Sequence, residues 1–210
     1  MPLVTQPRTV VITEASSTVA LATAARLSAA GDLVLMGSRR TQVCEEFAAR
    51  LRSTGAEVFA AHLDLADLRS VDRFVETADY LVGTPDVLVS AAGLADGSWA
   101  GAQHVVAQLV PPMIDSRRGD VVLLSPELIG SSPPGGRRML EAWARGLDVE
   151  FIGTGVRASV VRSTGRVPAD DVSCLIAAAI DSSAGMHLRV VDIIPPVPTP
   201  TLAQDRPGRV

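Results

Sequence analysis

Short runs of aliphatic and β-branched residues alternate with longer amphipathic segments along almost the whole chain. Thr9–Thr13 is such a run, typical of a strand buried on both faces. Thr41–Thr54 instead spaces its apolar residues three or four positions apart, which predicts a helix with one buried face. The pattern predicts strands at Thr9–Thr13, Asp32–Gly37, Glu57–Leu63, Asp86–Ser90, Asp120–Ser125, Arg157–Val161 and Leu188–Ile194, and helices at Ser17–Ala30, Thr41–Thr54, Asp67–Tyr80, Gly101–Ser116, Arg138–Glu150 and Ala169–Asp181.

Regular alternation of strands and helices predicts an α/β fold. Each strand–helix–strand unit brings the next strand back parallel to the first, so the expected product is a parallel sheet covered on both faces. We expect one domain over residues 1–194. Residues 195–210 contain five prolines and show no periodicity, so we expect an irregular tail there.

Composition narrows the range of partners. The hydrophobic fraction of 47% is ample for one core, although aromatic residues supply only 3%. The formal net charge of −4 argues against nucleic acid or an anionic membrane as the main partner. All 19 basic residues are arginine, because the chain contains no lysine.

Cysteine usage favours a reducing compartment. Cys44 and Cys174 lie far apart and form no C-x-x-C motif, and the three histidines show no metal-ligand spacing. Met1–Arg8 lacks the charged and apolar regions of a signal peptide, and no apolar run is long enough to span a bilayer. We therefore expect a cytoplasmic protein without a metal site.

A series of motifs resembles the short-chain dehydrogenase/reductase family. The run TVVITEASSTVALATAARLSAAGDLVLMGSRR is similar to the opening of that family, and the other pieces follow in the family's order. The resemblance implies a Rossmann-type doubly wound parallel sheet of about seven strands with helices on both faces. The matching pieces are Thr9–Arg40, His62–Asp67, Asp86–Gly93, Gly101–Met113, Gly119–Ser125 and Leu140–Gly165.

This chain departs from the family at its phosphate-binding turn. The family's TGxxxGxG motif aligns with Thr13–Ala20, where Glu14, Thr18 and Ala20 replace the three glycines. Those glycines permit a tight turn and a close approach of the backbone to a pyrophosphate. Side chains at these positions obstruct that approach, and Glu14 adds a negative charge.

Two interpretations of Glu14 remain open. We favour a Glu14 side chain that points into solvent, with Ser16 or Ser17 capping the following helix. The alternative gives Glu14 an active role. Either arrangement weakens ordinary dinucleotide binding.

Other remnants of a nucleotide site survive. The cofactor stays open between NADP, bound with weakened affinity, and no ligand. The resemblance suggests NADP because arginines that contact its 2′-phosphate often follow the second strand in this family. An acidic residue near the adenine and the end of the NNAG motif are also retained, although Ser90 and Ala91 replace the asparagines. The resulting cofactor-binding candidates are Ser16, Arg39, Arg40, Asp64, Ala92 and Gly93.

The catalytic centre departs further from the family. The family's Tyr-x-x-x-Lys falls on Pro133 and Arg137, and its helix asparagine falls near Ser98. Ser125 is close to the family's serine, but it has no acid or base partner in the sequence. Tyr80, the one tyrosine, ends a predicted helix, where we expect it to pack. We therefore predict no catalytic residue, and redox activity that is lost or strongly altered.

Three functions remain open at this stage. The first is a non-catalytic binding or assembly protein. Its helices at residues 101–116 and 138–150 would form a homo-oligomer or a hetero-oligomer with a related protein, with Trp143 and Phe151 either in that contact or in the core. The second is an atypical NADP-dependent reductase. The third is a non-redox enzyme, a cyclase, isomerase or lyase, with polar candidates Ser125, Glu127, Arg137 and Arg138.

Overall fold

A computed structural model of the chain describes residues 7–91, 97–125, 135–163, 167–182 and 186–194. Strands and helices alternate through these residues. The strands are β1 (Thr9–Ile12), β2 (Leu33–Ser38), β3 (Val58–His62), β4 (Val87–Ala91), β5 (Gly119–Leu124), β6 (Val156–Ser163) and β7 (Val190–Ile193). The helices are α1 (Thr18–Ala29), α2 (Thr41–Arg52), α3 (Leu68–Val82), α4 (Ser98–Asp115), α5 (Gly136–Glu150) and α6 (Ala169–Ile180).

The strands form one parallel sheet in the order β3-β2-β1-β4-β5-β6-β7. The chain first builds the sheet outwards from β1 to β3 and then returns to add β4 on the other side of β1. The point of reversal, between β1 and β4, is where doubly wound sheets bind ligands. The strand and helix pattern predicted from the sequence is confirmed, with element boundaries shifted by a few residues.

Two apolar layers hold the helices against the sheet. One layer packs α1, α2 and α6 against one face, and the other packs α3, α4 and α5 against the opposite face. Val10, Val11 and Ile12 of β1 are fully buried, because alternate side chains of a central strand enter opposite layers. Aliphatic side chains therefore build most of the core, as the composition predicts.

The sheet has two functionally different edges. At the carboxyl edge the strands end and the helices begin. At the amino edge the helices end and the next strands begin. Close packing at the carboxyl edge depends on Gly101 of α4, because a Cβ there would lie 1.9 Å from the carbonyl oxygen of Leu65. The helix can approach the loop after β3 only without a side chain at that position.

The predicted tail, residues 195–210, lies outside the described residues, so its structure stays a prediction. Within the described ranges, no helix combines the length and the apolarity that crossing a bilayer requires. The Rossmann-type α/β fold class is confirmed by the sheet order and by the two helical layers.

Candidate functional site

The turn between β1 and α1 keeps the backbone shape of a glycine turn without a glycine. Glu14 has a φ of 48°, in the left-handed region that glycine adopts at little cost. Thr18 begins α1 with an exposed side chain, and Ala20 is fully buried in the core. The hydroxyl of Ser17 accepts a hydrogen bond from the Ala20 amide at 3.3 Å, so Ser17 is the N-cap. The predicted serine cap is confirmed at Ser17.

The expectation that Glu14 points freely into solvent is wrong. Glu14 is partly buried, and its carboxylate and the Arg40 guanidinium both act on the Cys44 thiol. Burial raises the pKa of that thiol, while a hydrogen bond with Ser38 and the charge of Arg40 oppose the rise. The negative charge of Glu14 adds to the rise in the pKa of this thiol.

Ser16 does not cap the helix but joins the turn to β2. Its hydroxyl hydrogen-bonds with the buried Ser38 hydroxyl at 3.0 Å. The Ala15 amide donates to the Gly37 carbonyl at 3.0 Å, and the Arg40 amide donates to the Ser38 hydroxyl at 3.1 Å. The turn after β1 and the start of α2 are therefore fixed to each other through the end of β2.

Arg39 and Asp64 are brought together, although they are far apart in the sequence. The Arg39 Nε and an Asp64 carboxylate oxygen are 4.0 Å apart, and both side chains are partly exposed. Asp64 also accepts a hydrogen bond from the Ala66 amide at 3.0 Å. These two residues and Arg40 form a charged rim at the carboxyl edge of β2 and β3. The other two cofactor candidates, Ala92 and Gly93, lie outside the described residues.

Two serine hydroxyls at the carboxyl edge are buried without a hydrogen-bond partner among the described residues. Ser90 of β4 is 1% exposed, and Ser125, which follows β5, is 0% exposed. Strand alternation places both on the side of the sheet that packs α3, α4 and α5. Thr13 behaves differently, because its hydroxyl accepts from the Ala91 amide at 3.0 Å. Buried hydroxyls without partners are uncommon and call for an explanation.

Arg137 lies at the start of α5 at the same edge. Its Nε is also buried without a hydrogen-bond partner, and its charge helps to lower the pKa of Asp192, mainly lowered by hydrogen bonding to Arg162. Pro133 lies outside the described residues. Arg162 forms ion pairs with both Asp192 of β7 and Glu141 of α5.

This cluster of charges was not predicted from the sequence. The polar Arg162 within the apolar strand VRASVVRS was the available signal. Its partners could not be inferred, because they lie 21 and 30 residues away along the chain.

The remaining candidates are scattered. Ser98 begins α4 and is 3% exposed, so its side chain is buried at the carboxyl edge. The prediction that Tyr80 packs is wrong, because this side chain is 88% exposed near the end of α3. Helix α3 ends at the amino edge, opposite the candidate site. Glu127 lies outside the described residues, and Arg138 is exposed on α5.

Trp143 and Phe151 occupy two different environments. Phe151 is 5% exposed in the core, whereas Trp143 is partly buried and meets Trp99 of α4 edge-to-face at a centroid distance of 5.0 Å. The two tryptophans therefore join α4 to α5 on the outer surface of one layer.

The charged and polar groups of the carboxyl edge fit one end of a dinucleotide better than the other. Arg39, Arg40 and Asp64 suit an adenosine phosphate. Glu14 and Thr18 do not suit a pyrophosphate, because one brings a like charge and the other a side chain to the helix N-terminus. Among the described residues, no group of three or more His, Cys, Asp or Glu could hold a metal ion.

Comparison of the sequence with known proteins identifies its relatives. The sequence matches the family model for short chain dehydrogenases over residues 8–128, which is more than half of the chain. The 1-deoxy-11-beta-hydroxypentalenate dehydrogenase of Streptomyces avermitilis is 30% identical over 186 residues, which cover 74% of this chain and 67% of that protein. The glycine betaine reductase ATRR of Emericella nidulans is 26% identical over 197 residues. That alignment covers 83% of this chain but only 15% of the reductase.

Solved structures share the fold at low sequence identity. A metagenomic short-chain oxidoreductase in complex with NADP superimposes with a TM-score of 0.79 at 20% identity, covering 90% of this chain and 97% of that one. The L-sorbose reductase of Gluconobacter frateurii, complexed with NADPH and L-sorbose, gives a TM-score of 0.77 at 18% identity, with 90% and 95% covered.

The fold and the sequence match define a protein of the Rossmann-type α/β class. More particularly, the chain belongs to the short-chain dehydrogenase/reductase family.

Proposed function

We propose that this chain is a family member that has lost the interconversion of carbonyls and alcohols and acts as a binding or assembly protein. The observation that carries the proposal is the place of its only tyrosine. Tyr80 is exposed at the amino edge, so it cannot donate a proton at the carboxyl edge. Proton transfer from a positioned acid contributes about 10²–10⁴-fold to such a rate.

The groups that remain near the family's catalytic position support the same proposal. Arg137 stays protonated at every physiological pH, so it stabilises an anion but does not release a proton. Within the described ranges, the Ser125 hydroxyl makes no hydrogen bond through which another group could take or supply a proton. These residues can bind a polar ligand, and they leave the reaction without a general acid.

Titration with NADPH and measurement of turnover test the proposal together. We expect no change in NADPH fluorescence below millimolar concentration and no oxidation of NADPH with a panel of ketones. An active family member in the same buffer is the positive control, and cooperative thermal unfolding shows that the chain is folded. Steady consumption of NADPH that depends on both chain and ketone would refute the proposal.

A weak NADP-dependent reductase is the second candidate, favoured by the charged rim of Arg39, Arg40 and Asp64. In that case NADPH binds, and Arg40→Gln weakens NADPH more than NADH, because only NADPH carries the 2′-phosphate. Equal loss for both cofactors, or no binding of either, counts against this candidate.

We further propose that α4 and α5 mediate assembly, in the cytosol, where both cysteines stay as free thiols. The surface between these helices is a groove of about 360 Å³ with a largely apolar lining that includes Val110, Ile114 and Trp143. Ala107 of α4 is exposed on its rim. Ala107→Glu should therefore lower the mass measured by light scattering from dimer to monomer. A wild-type mass of one chain at high concentration would refute homo-assembly, and mixing with a related family member then tests hetero-assembly.

A further inference from the structure

A second cavity lies at the amino edge of the sheet, away from the candidate site. Its volume is about 490 Å³, within the usual range of small-molecule pockets, roughly 300–1,000 Å³. It lies between the end of α5 and the segment that leads into β7. Its lining combines apolar and basic residues, among them Arg145, Phe151, Ile152, Val156, His187 and Arg189.

The apolar part of this cavity opens onto an exposed apolar surface. Phe151 and Val156 are buried in the floor, at 5% exposure each. Val149 and Ile152 in the wall are 70% and 78% exposed. Met186 and Val190, each next to a lining residue in the sequence, are also exposed. Clustering of exposed apolar side chains around a concave site is typical of a ligand-binding surface.

The charge of the lining is positive, although the whole chain is acidic. Three arginines and one aspartate, Asp148, line the cavity, whereas the formal net charge of the chain is −4. Arg157 donates to Asp120 at 2.8 and 2.9 Å, and Arg189 pairs with Asp148. Arg145 forms no ion pair with any other described residue. One positive charge therefore remains available at the cavity.

Arg145 also lines a smaller cavity that adjoins the first one. That neighbouring space of about 150 Å³ shares Arg145, Asp148 and Arg189 with the first. An anionic group at this junction would contact Arg145 and the free side of Arg189, while an attached chain could lie along Phe151 and Ile152. The carboxylates of Asp148 and Glu141 also line this region, and they pair with Arg189 and Arg162.

We propose that this cavity binds an amphipathic carboxylate with an unbranched alkyl chain. The Arg145 guanidinium binds the carboxylate, because it is planar, carries no carboxylate partner in the described structure and matches carboxylate geometry. The exposed Val149 and Ile152 and the buried Phe151 contact the alkyl chain. The site is independent of the proposed loss of redox activity, because it lies at the opposite edge of the sheet.

Fluorescence of 11-(dansylamino)undecanoate tests the proposal on the full chain. We expect a saturable rise with a Kd on the order of 10 µM, and decanoate should displace the probe. Arg145→Gln should weaken binding about tenfold, because a charge-assisted hydrogen bond is lost. Arg138→Gln is the matched control, since Arg138 is exposed on the same helix but does not line the cavity.

A second variant tests the apolar half. Ile152→Asp should abolish binding without unfolding the chain, because Ile152 is 78% exposed. The proposal is overturned if the full chain shows no saturable rise, or if Arg145→Gln binds as the wild type does. It is also overturned if Ile152→Asp halves the mass in solution, which would make the cavity an interface between copies. Binding that occurs only after removal of residues 195–210 would assign the cavity to that segment instead.

Discussion

The two edges of the sheet use their polar residues in opposite ways. At the amino edge an aspartate lies at the start of three strands, namely Asp32 before β2, Asp86 before β4 and Asp120 as the second residue of β5. Each accepts hydrogen bonds that hold it in place. The donors are Arg8, Thr9 and Arg157. These three carboxylates are therefore used to fix where the strands begin.

At the carboxyl edge, several polar groups have no such use. Ser90, Ser125 and the Nε of Arg137 are buried without a hydrogen-bond partner, and Glu14 adopts a strained backbone conformation. Each such group costs about 1–3 kcal/mol of stability. Proteins accept costs of this kind mainly where a ligand or reaction is handled. The difference indicates that the carboxyl edge retains the character of a site.

Removal of the ion pair between Arg157 and Asp120 at the amino edge should cause the largest loss of stability. Arg157→Leu leaves Asp120, which is 15% exposed, without its charge partner, and frees the carbonyls of Ile180 and Met186. Removing one member of a buried ion pair typically costs about 3–5 kcal/mol. Urea unfolding at pH 7 should show this loss. A loss below about 1 kcal/mol would mean that the amino edge is not held by this pair.

The same variant has a predictable pH dependence. Burial already raises the pKa of Asp120, and loss of the Arg157 hydrogen bonds and charge removes the opposing effects. A folded-state pKa above the unfolded value makes the carboxylate destabilising above that pKa and harmless below the unfolded value. The difference in free energy of unfolding between Arg157→Leu and the wild type should therefore narrow as pH falls from 7 towards about 4. Asp120→Asn combined with Arg157→Leu should show no such narrowing.

Removal of the Thr13 and Ser125 hydroxyls at the carboxyl edge should change the stability by the next largest amounts, in opposite directions. Thr13→Val removes a hydrogen bond to the Ala91 amide and should lower the free energy of unfolding by about 1–3 kcal/mol. Ser125→Ala removes a buried hydroxyl that has no hydrogen-bond partner among the described residues. It should raise the free energy of unfolding by up to about 1 kcal/mol. Thermal unfolding of both variants measures the difference. Equal losses would show that Ser125 has a partner in solution.

Strain at the phosphate turn should be relieved by glycine. Glu14→Gly should raise the free energy of unfolding by about 1 kcal/mol, because φ at position 14 is 48°. Arg117→Gly is the matched control, since Arg117 has a φ of 55° in the turn before β5 at the amino edge. Both variants should gain stability in urea. Only Glu14→Gly should also gain NADPH affinity, measured by fluorescence, and an equal gain in both would remove Glu14 as the obstacle.

The architecture was predictable because its signals are local. Apolar runs such as Val10–Ile12 and the three- or four-residue spacing in α2 determine strands and helices within a few residues. Residue type also predicted a serine cap at Ser16 or Ser17, and the structure places it at Ser17. The placement of Tyr80 was not, because an aromatic residue near the end of a helix is compatible with either packing or exposure.

The site was only partly predictable because its contacts are distant in sequence. Arg39 and Asp64 were each predicted at this edge, since they follow neighbouring strands, but their ion pair was not predicted. The cluster of Arg162 with Glu141 and Asp192 joins three elements whose relative position depends on the whole sheet. The partnerless state of Ser125 likewise follows from what surrounds it in space, which a sequence does not give.

The exposed surface between α3 and α4 serves as a reference for both edges of the sheet. A substitution there should change the stability least. Asp72 is hydrogen-bonded to His104 at 2.9 Å and to Gln108 at 2.8 Å, and these bonds lower its pKa, the one to His104 most. A lowered folded-state pKa means stability that is present above the unfolded value and lost as pH falls through the folded one. Asp72→Asn should therefore lower the unfolding temperature at about pH 5 and match the wild type near pH 2. Asp79→Asn, exposed on the same helix, should leave the profile unchanged. If both variants show the same pH profile of the unfolding temperature, the hydrogen bonds of Asp72 do not persist in solution. Stabilising polar contacts would then lie at the edges of the sheet and not on this surface.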